Sequence, residues 1–218
     1  MPGYERVTAA QLNDASLPDW RYLYDRIEAR FRAASFSGGA ELVGRIAAAA
    51  DAADHHPDID LRYPGVVHVA LSTHAAGGLT TLDVGLARTI SELAAELGCV
   101  SEPTVSTFTS IAIDAHDIDA VRPFWRAVMG YRDGADGTLE DPTRSGPLLW
   151  FQQMDEPRVQ RSRIHLDVDV AHDVVDERVA AALAAGGTLV TDAFAPKWWV
   201  LADAEGNEAC ICTWLGRD

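Results

Sequence analysis

Hydrophobic residues follow two different spacings in the first part of the chain. Residues 26–33 alternate apolar and charged side chains, and this period of two predicts a half-buried strand that pairs with a strand over 20–24. Residues 40–53 carry apolar side chains at helical spacing without a proline, which predicts a helix after a break at 35–39. One face of the strand pair is therefore expected to be charged.

The same mixture of strand and helix patterns continues to residue 98. A short helix is predicted over 9–14, before the first strand. Residues 66–73 are rich in β-branched side chains and predict another strand. A helix capped by Thr80 or Thr81 follows; it runs through Leu97 and is terminated by Gly98. These elements predict a sheet with helices on one face.

A repeated pattern occupies the second half. A strand over 108–115 precedes a helix over 119–129, and a strand over 163–170 precedes a helix over 174–185, each with further short strands after it. The glycines that end the two helices, Gly130 and Gly186, are 56 residues apart. A repeat of this length predicts two βαβββ modules.

The predicted fold class is therefore α+β, with an N-terminal antiparallel sheet covered by helices on one face and then paired βαβββ modules. Residues 99–107 contain a proline and lack periodicity, so they are predicted to be a linker. The predicted domains are residues 1–98 and 108–218.

Composition restricts the partners and the location of the protein. The 218 residues carry a formal net charge of −15, which repels nucleic-acid phosphates and anionic lipids, so we expect neither nucleic acid nor membrane as a partner. No apolar run reaches the length of a membrane span, and the N-terminus does not resemble a signal peptide. Three unevenly placed cysteines predict reduced thiols. We therefore expect a cytoplasmic protein with a small-molecule ligand.

Three of the seven histidines lie close together in the sequence. His55 and His56 follow a predicted helix, His74 follows a predicted strand, and Asp83 lies in the first turn of the next helix. Imidazole gives and takes protons near neutral pH, so the cluster indicates acid/base chemistry. Two alternatives are a polar helix end that interacts with the helix dipole and a metal site, although adjacent histidines tend to diverge.

The motif set resembles that of pterin-4a-carbinolamine dehydratase. An acidic residue, Asp51, precedes the block His55-His56-Pro57, and Tyr63, His74 and Asp83 follow in order. Two departures accompany the likeness: one extra residue near Pro64-Gly65, expected to form either a longer turn or a bulge before the strand, and Ala75 where the family often has an acidic residue.

This resemblance implies an enzyme that dehydrates a 4a-hydroxytetrahydropterin to a quinonoid dihydropterin in tetrahydropterin recycling. It implies His55 and His74 as the catalytic acid/base pair with Asp83 as an orienting carboxylate, while His56 and Asp51 bind substrate. It leaves open which histidine is the acid. No cofactor is required, and a homo-oligomer is expected.

The second half resembles a glyoxalase-like domain of the vicinal oxygen chelate superfamily. The likeness rests on the segments Pro123-Phe124-Trp125, Gly130-Tyr131, Leu149–Gln152, Arg163–Asp167 and Ala202–Glu208. The positions that bind metal in such domains correspond to Ser110, Gln152, His165 and Cys210.

Of these four side chains, only His165 is a convincing ligand, and Gln152 is the next candidate. We therefore predict no metal in this half, with a divalent metal kept as an alternative. A cavity lined by Trp150 or Trp198-Trp199 is a further alternative. For the whole chain, the alternatives to the dehydratase are a non-catalytic pterin-binding or oligomerisation module and a metal-dependent enzyme centred on the second half.

Overall fold

The chain folds into two compact units, Met1–Phe108 and Thr109–Asp218, called here the first and the second domain. The structure is a computed structural model that describes residues 5–156 and 164–216. No helix within these described ranges is long and apolar enough to cross a membrane.

The first domain is an antiparallel sheet with helices. Its strand order is β1-β2-β4-β3, and β5 also pairs with β2. Helices α2 and α3 pack with the sheet around one apolar core that includes Phe31, Leu42 and Ile90. In chain order the elements are α1 (Ala9–Asp14), β1 (Trp20–Leu23), β2 (Arg26–Arg32), α2 (Phe36–Ala53), β3 (Asp58–Arg62), β4 (Val66–Leu71), a 3-10 turn (His74–Ala76), α3 (Thr81–Glu96) and β5 (Val100–Ser101).

The first domain differs from the sequence prediction at α2, β3 and β5, among other details. Helix α2 begins at Phe36, because the Ser35 side chain accepts the Gly38 amide and starts the helix through the predicted break. Strand β3 was not predicted, although its five residues alternate between exposed charged and partly buried apolar side chains. Strand β5 lies inside the predicted linker and pairs with β2, so that segment begins as part of the first sheet.

The extra residue near Pro64 lies in the turn between β3 and β4, which is one of the two expected arrangements. The two strands pair without a shift from Asp58–Ala70 to Arg62–Val66, so the turn absorbs it and no bulge forms. Gly65 in this turn lies so close to α2 that an added Cβ would be 2.4 Å from the Ser35 carbonyl oxygen. Only glycine fits there without a movement of the backbone.

The second domain consists of the two predicted modules. The first has a sheet of order β6-β9-β8-β7 and the second a sheet of order β10-β13-β12-β11, each with a parallel outer pair. One apolar core joins residues of both modules, including Phe124, Leu149 and Ile211. The elements are β6 (Ser110–Ala115), α4 (Ile118–Met129), β7 (Arg132–Asp133), β8 (Leu139–Glu140), β9 (Leu148–Gln153), β10 (Leu166–Asp169), α5 (Val175–Ala184), β11 (Thr188–Thr191), β12 (Trp198–Ala202) and β13 (Glu208–Cys212).

The two helices of the second domain end at the glycines predicted from the sequence. Gly130 takes a left-handed conformation (φ 68°) directly after α4, and Gly186 does the same (φ 96°) after α5. Strands β6 and β10 begin two and three residues later than predicted, and part of the second prediction, Arg163, lies outside the described residues. The α+β class and the βαβββ modules are thus confirmed.

Candidate active site

The end of α2 sets the directions of the two adjacent histidines. Asp54 takes a left-handed conformation (φ 48°, ψ 39°), and the His55 amide then donates to the Ala50 carbonyl at 3.1 Å. Aspartate tolerates this region better than most residues with a side chain. Pro57 disfavours helical geometry at His56, so the two histidines lie beyond the end of the helix. His55 is buried and His56 is exposed.

His55 forms a buried pair with Asp83. Its Nε2 lies 2.7 Å from Oδ1 of Asp83, with His55 8% exposed and Asp83 0% exposed. An ionised carboxylate only accepts hydrogen bonds, so Nε2 carries the proton that faces it. In the neutral ring, Nδ1 therefore has the lone pair.

The other oxygen of Asp83 is held by two threonines. Oδ2 accepts from Thr73 Oγ1 at 2.7 Å, from the Thr80 amide at 2.7 Å and from Thr80 Oγ1 at 3.3 Å. Thr80 is the N-cap of α3, and this carboxylate completes a capping box. One oxygen of Asp83 therefore caps α3, while the other contacts the His55 imidazole.

The two threonines were not predicted as part of the site. The spacing Thr80-x-x-Asp83 is a capping-box signature, so the sequence held a signal for Thr80. Thr73 had no such signal, because its contact with Asp83 depends on the turn between β4 and α3. Its amide also donates to the Gly78 carbonyl at 3.1 Å, which closes that turn.

His74 lies in the turn that these threonines flank. It begins the 3-10 turn His74–Ala76, because the strand predicted to reach residue 73 ends at Leu71. Its side chain lies outside the described part of the structure, so its convergence with His55 stays a prediction. The backbone on both sides of the turn is tied to Asp83 through Thr73 and Thr80.

His56 and Asp51 form a second, exposed pair. His56 Nε2 lies 3.0 Å from Asp51 Oδ1, with the side chains 60% and 78% exposed. Water screens such a pair, so it adds little to stability and both groups remain accessible. The histidine cluster predicted from the sequence thus separates into a buried pair and an exposed pair.

The other face of the first sheet contains a buried carboxylate–histidine pair that sequence reasoning missed. Glu28 is only 2% exposed, and its Oε atoms lie 3.0 Å from His68 Nε2 and 2.7 Å from Arg26 Nε. Burial alone would raise the pKa of Glu28, but the bonds from His68 and Arg26 outweigh it and lower that pKa below 4.5. The alternating pattern predicted a charged face and gave no sign that Glu28 is buried.

Two of the four positions implied as metal ligands lie in the first module of the second domain, and two lie in its second module. In the β6–β9 pair, Ser110 lies opposite Leu148 and Gln152 lies opposite Asp114, so the two candidates are about 13 Å apart along the strands. In the second module, single ligand-type atoms of His165, Asp167 and Cys210 all lie within 4.8 Å of one another. Asp167 was not predicted as a ligand, although its i, i+2 spacing from His165 in a strand was a usable signal.

A cavity of about 570 Å³ surrounds that second group. Burial and the neighbouring Asp167 carboxylate raise the pKa of the Cys210 thiol to about 12, so the thiol alone is a poor nucleophile at neutral pH. The described residues that line the cavity include Trp198 but neither Trp150 nor Trp199; they are His165, Asp167, Lys197, Trp198, Cys210 and Cys212.

Asp203, in the segment that resembled a glyoxalase-like domain, organises the turn between β12 and β13. It is 2% exposed and accepts from Trp125 Nε1 at 2.9 Å and from the amides of Glu205 and Asn207 at 2.9 Å. The Asn207 side chain adds a bond of 2.8 Å. Because every partner is a fixed donor, this carboxylate stabilises the fold.

Comparisons with known proteins divide the chain at the same place. Residues 5–93 match the family model described as pterin 4 alpha carbinolamine dehydratase, and residues 110–212 match the model described as a glyoxalase-like domain. Among curated relatives, a protein of Nocardia farcinica is 53% identical over 78 residues, which cover 36% of this chain and 81% of the relative. One from Chloroflexus aurantiacus is 43% identical over 90 residues, covering 40% and 96%. Both are provisionally named pterin-4-alpha-carbinolamine dehydratase.

Solved structures resemble each half separately. A transcriptional coactivator/pterin dehydratase from Brucella melitensis is 31% identical, covers 41% of this chain and 99% of its own, and gives a TM-score of 0.40. A glyoxalase/bleomycin resistance protein/dioxygenase family enzyme from Burkholderia phytofirmans is 22% identical, covers 50% and 98%, and gives a TM-score of 0.41.

Through its first domain the chain belongs to the pterin-4-alpha-carbinolamine dehydratase family, and its second domain is glyoxalase-like.

Proposed function

We propose that the first domain dehydrates 4a-hydroxytetrahydropterins to quinonoid dihydropterins, with His55 and His74 as the acid/base pair, and so recycles a tetrahydropterin. The observation that carries the proposal is the buried pair of His55 and Asp83, 2.7 Å apart, in a domain of the dehydratase family. A histidine that is oriented by a buried carboxylate suits repeated proton transfer better than one that is free in solvent.

The proposed reaction needs two proton transfers and no change of oxidation state. The bond from C4a to the hydroxyl oxygen breaks, and the hydroxyl takes a proton and leaves as water. The proton on N5 passes to a base, and the freed electron pair forms the double bond between N5 and C4a. Two imidazoles can carry out both transfers near neutral pH, so we propose that no cofactor is required.

The contact with Asp83 supports His55 as the base. With its proton held on Nε2, the neutral ring presents the Nδ1 lone pair to the N5 proton, and Asp83 then stabilises the imidazolium that forms. His74 is left as the acid that protonates the departing hydroxyl. His56 and Asp51 are proposed to bind substrate, because both are exposed beside His55.

The test is the rate of 4a-hydroxytetrahydropterin dehydration by the full chain, measured above the spontaneous rate. His55→Ala and His74→Ala are each expected to lower kcat by ~100- to 10,000-fold, the range for loss of a general acid or base. His116→Ala is the matched control, because this exposed histidine lies in the second domain and its hydrogen bonds to other described residues use only its backbone.

Circular dichroism and thermal unfolding of each variant separate a chemical loss from a folding defect. Loss of activity in a folded His55→Ala protein, with His116→Ala unchanged, supports the proposal. An unmutated protein that does not exceed the spontaneous rate contradicts it, and so does a His55→Ala protein with full activity.

A further inference from the structure

A short segment before α1, residues 5–7, pairs with the loop that leads into α3. Arg6 lies opposite Thr80 in an antiparallel bridge. Two backbone hydrogen bonds close this bridge; they join the Val7 amide to the Leu79 carbonyl at 3.0 Å and the Thr81 amide to the Glu5 carbonyl at 3.3 Å. Because Thr80 also caps α3 and donates to Asp83, the segment runs directly beside the residue that holds the buried carboxylate.

The residues that follow Arg6 fix its place along this bridge. Val7 packs against the apolar core of the first domain. Thr8 then begins α1 with a capping box, in which its side chain accepts the Gln11 amide and its own amide donates to the Gln11 side chain at 2.9 Å. The backbone of Arg6 is therefore held from both sides, and its side chain extends toward residues 73–78, called here the His74 turn.

The Arg6 guanidinium contacts the far end of the His74 turn. Its Nη2 donates to the Gly77 carbonyl at 2.9 Å. The guanidinium also lies over Gly78, because a Cβ added to Gly78 would be 2.7 Å from Nη2. Gly78 has a φ of 153°, a conformation that favours glycine. The turn therefore has the residue type that lets the guanidinium approach this closely.

The His74 turn is built from residues with small side chains; after His74 they are Ala75, Ala76, Gly77 and Gly78. Glycine loses more conformational freedom on folding than any other residue, so the order of this turn depends on its hydrogen bonds. Within the turn, the Thr73 amide donates to the Gly78 carbonyl at 3.1 Å and the Ala76 amide donates to the Thr73 carbonyl at 2.9 Å. Arg6 adds a hydrogen bond from outside the turn.

We propose that Arg6 is a positioning residue of the dehydratase site, which holds the His74 turn through Gly77 and so fixes the backbone that carries His74. The inference rests on the proposed function, in which His74 is the acid. Arg6 itself transfers no proton, because a guanidinium stays charged at neutral pH. An error of about 1 Å in the position of a reacting group can lower a rate by ~100-fold, so even a small loss of order in this turn should lower kcat.

The kinetic test measures dehydration by the full chain with Arg6→Ala. Arg6 is exposed, so this variant should fold. We expect kcat to fall by about three- to tenfold with KM unchanged, because one hydrogen bond to the turn is lost and no contact with substrate. Arg6→Lys keeps a charged donor and should restore part of the rate. Arg88→Ala is the matched control, because this exposed arginine donates to the Ala15 carbonyl, also at 2.9 Å, and should leave kcat unchanged.

A double substitution shows whether Arg6 acts through His74. Once His74→Ala has removed the acid, Arg6→Ala should lower the remaining rate no further, since two residues that act as a unit are not additive. A further loss of three- to tenfold in the His74→Ala protein would overturn the proposal. A raised KM with an unchanged kcat in Arg6→Ala would also overturn it, because Arg6 would then bind substrate.

Amide hydrogen exchange tests the anchor without using activity. In Arg6→Ala, the amides of Thr73 and Ala76 should exchange about three- to tenfold faster, while that of Val69 within β4 should keep its rate. Unchanged exchange of both turn amides overturns the proposal. An unmutated chain without dehydratase activity overturns the proposed function instead, and the exchange rates still show whether Arg6 holds the turn.

Discussion

Asp83 in the first domain and Asp203 in the second are two buried carboxylates with similar surroundings. Each is at most 2% exposed, and each fixes a local backbone feature: Asp83 caps α3, and Asp203 closes the turn between β12 and β13. Each also binds one ring nitrogen from another element, His55 Nε2 at 2.7 Å and Trp125 Nε1 at 2.9 Å.

The two carboxylates differ in the ring that each one binds. Indole has a single nitrogen that only donates, so the bond from Trp125 to Asp203 can only stabilise the fold. Imidazole has a second nitrogen, so the Asp83 bond fixes a proton on one side of His55 and presents a base on the other. A common structural element, a buried carboxylate at a turn, thus becomes suited to chemistry through one partner.

The largest expected effect is that of Asp83→Asn. The amide is nearly isosteric, but it no longer stabilises a His55 imidazolium and can reverse the ring tautomer. We expect dehydration to fall by ~100- to 10,000-fold, measured as kcat on the full chain. Activity within a few fold of that of the unmutated protein would show that the pair is only structural.

Asp203→Asn is the matched substitution in the second domain. Its amide hydrogens would face the donors of Trp125 and Asn207, which should lower the free energy of unfolding by about 1–3 kcal/mol in urea titrations. Dehydratase activity of the folded protein should not change. A large loss of activity here would break the comparison between the two carboxylates.

Thr73→Val should have a smaller effect, because it removes one of the bonds that position Asp83 while keeping the shape of the side chain. We expect kcat to fall by about fivefold, equivalent to the ~1 kcal/mol of a typical hydrogen bond. Thr73→Ser should restore it. Thr89→Val is the control, because the Thr89 hydroxyl donates to the Gly85 carbonyl within α3. An equal loss of kcat in Thr89→Val would contradict a positioning role for Thr73.

Glu28→Gln should have the smallest effect, and this effect should depend on pH. Burial raises the pKa of Glu28, but the hydrogen bonds from His68 and Arg26 lower it by more than burial raises it. The pKa in the folded protein is therefore below 4.5. A lowered folded pKa stabilises the protein above the unfolded value, and this contribution is lost as the pH falls through the folded value.

The Glu28→Gln variant should therefore be less stable than the unmutated protein by about 1 kcal/mol at pH 7. The difference should shrink steadily below pH 4.5 in paired urea titrations. A difference that stays constant down to pH 3 would mean that the ionised carboxylate is not what stabilises this face.

The sequence predicted the elements with a clear period or a clear stop. Helices α3, α4 and α5 have regular apolar spacing and end at or just before glycines, and their bounds agree within two residues. Strand β3 was missed although its residues alternate, because it is only five residues long and its pairing with β4 at the sheet edge is a long-range property. Local sequence patterns do not indicate which distant strand a segment pairs with.

The candidate site could also be predicted only as far as local sequence patterns allow. His55 and Asp83 could be proposed from motif spacing, but their bond depends on the left-handed Asp54 that turns His55 inward. Thr73 and Asp167 became visible only when a turn and a parallel strand pair placed them beside known candidates. Residue types were predictable, whereas contacts across elements required the fold.

The most direct test of His55 as the catalytic base is chemical rescue of His55→Gly. Glycine leaves a space beside Asp83 that free imidazole can enter, and the rate of 4a-hydroxytetrahydropterin dehydration is measured at increasing imidazole concentration. We predict that the variant is nearly inactive and that imidazole restores part of the rate until it saturates. Full activity of His55→Gly without imidazole would contradict the account.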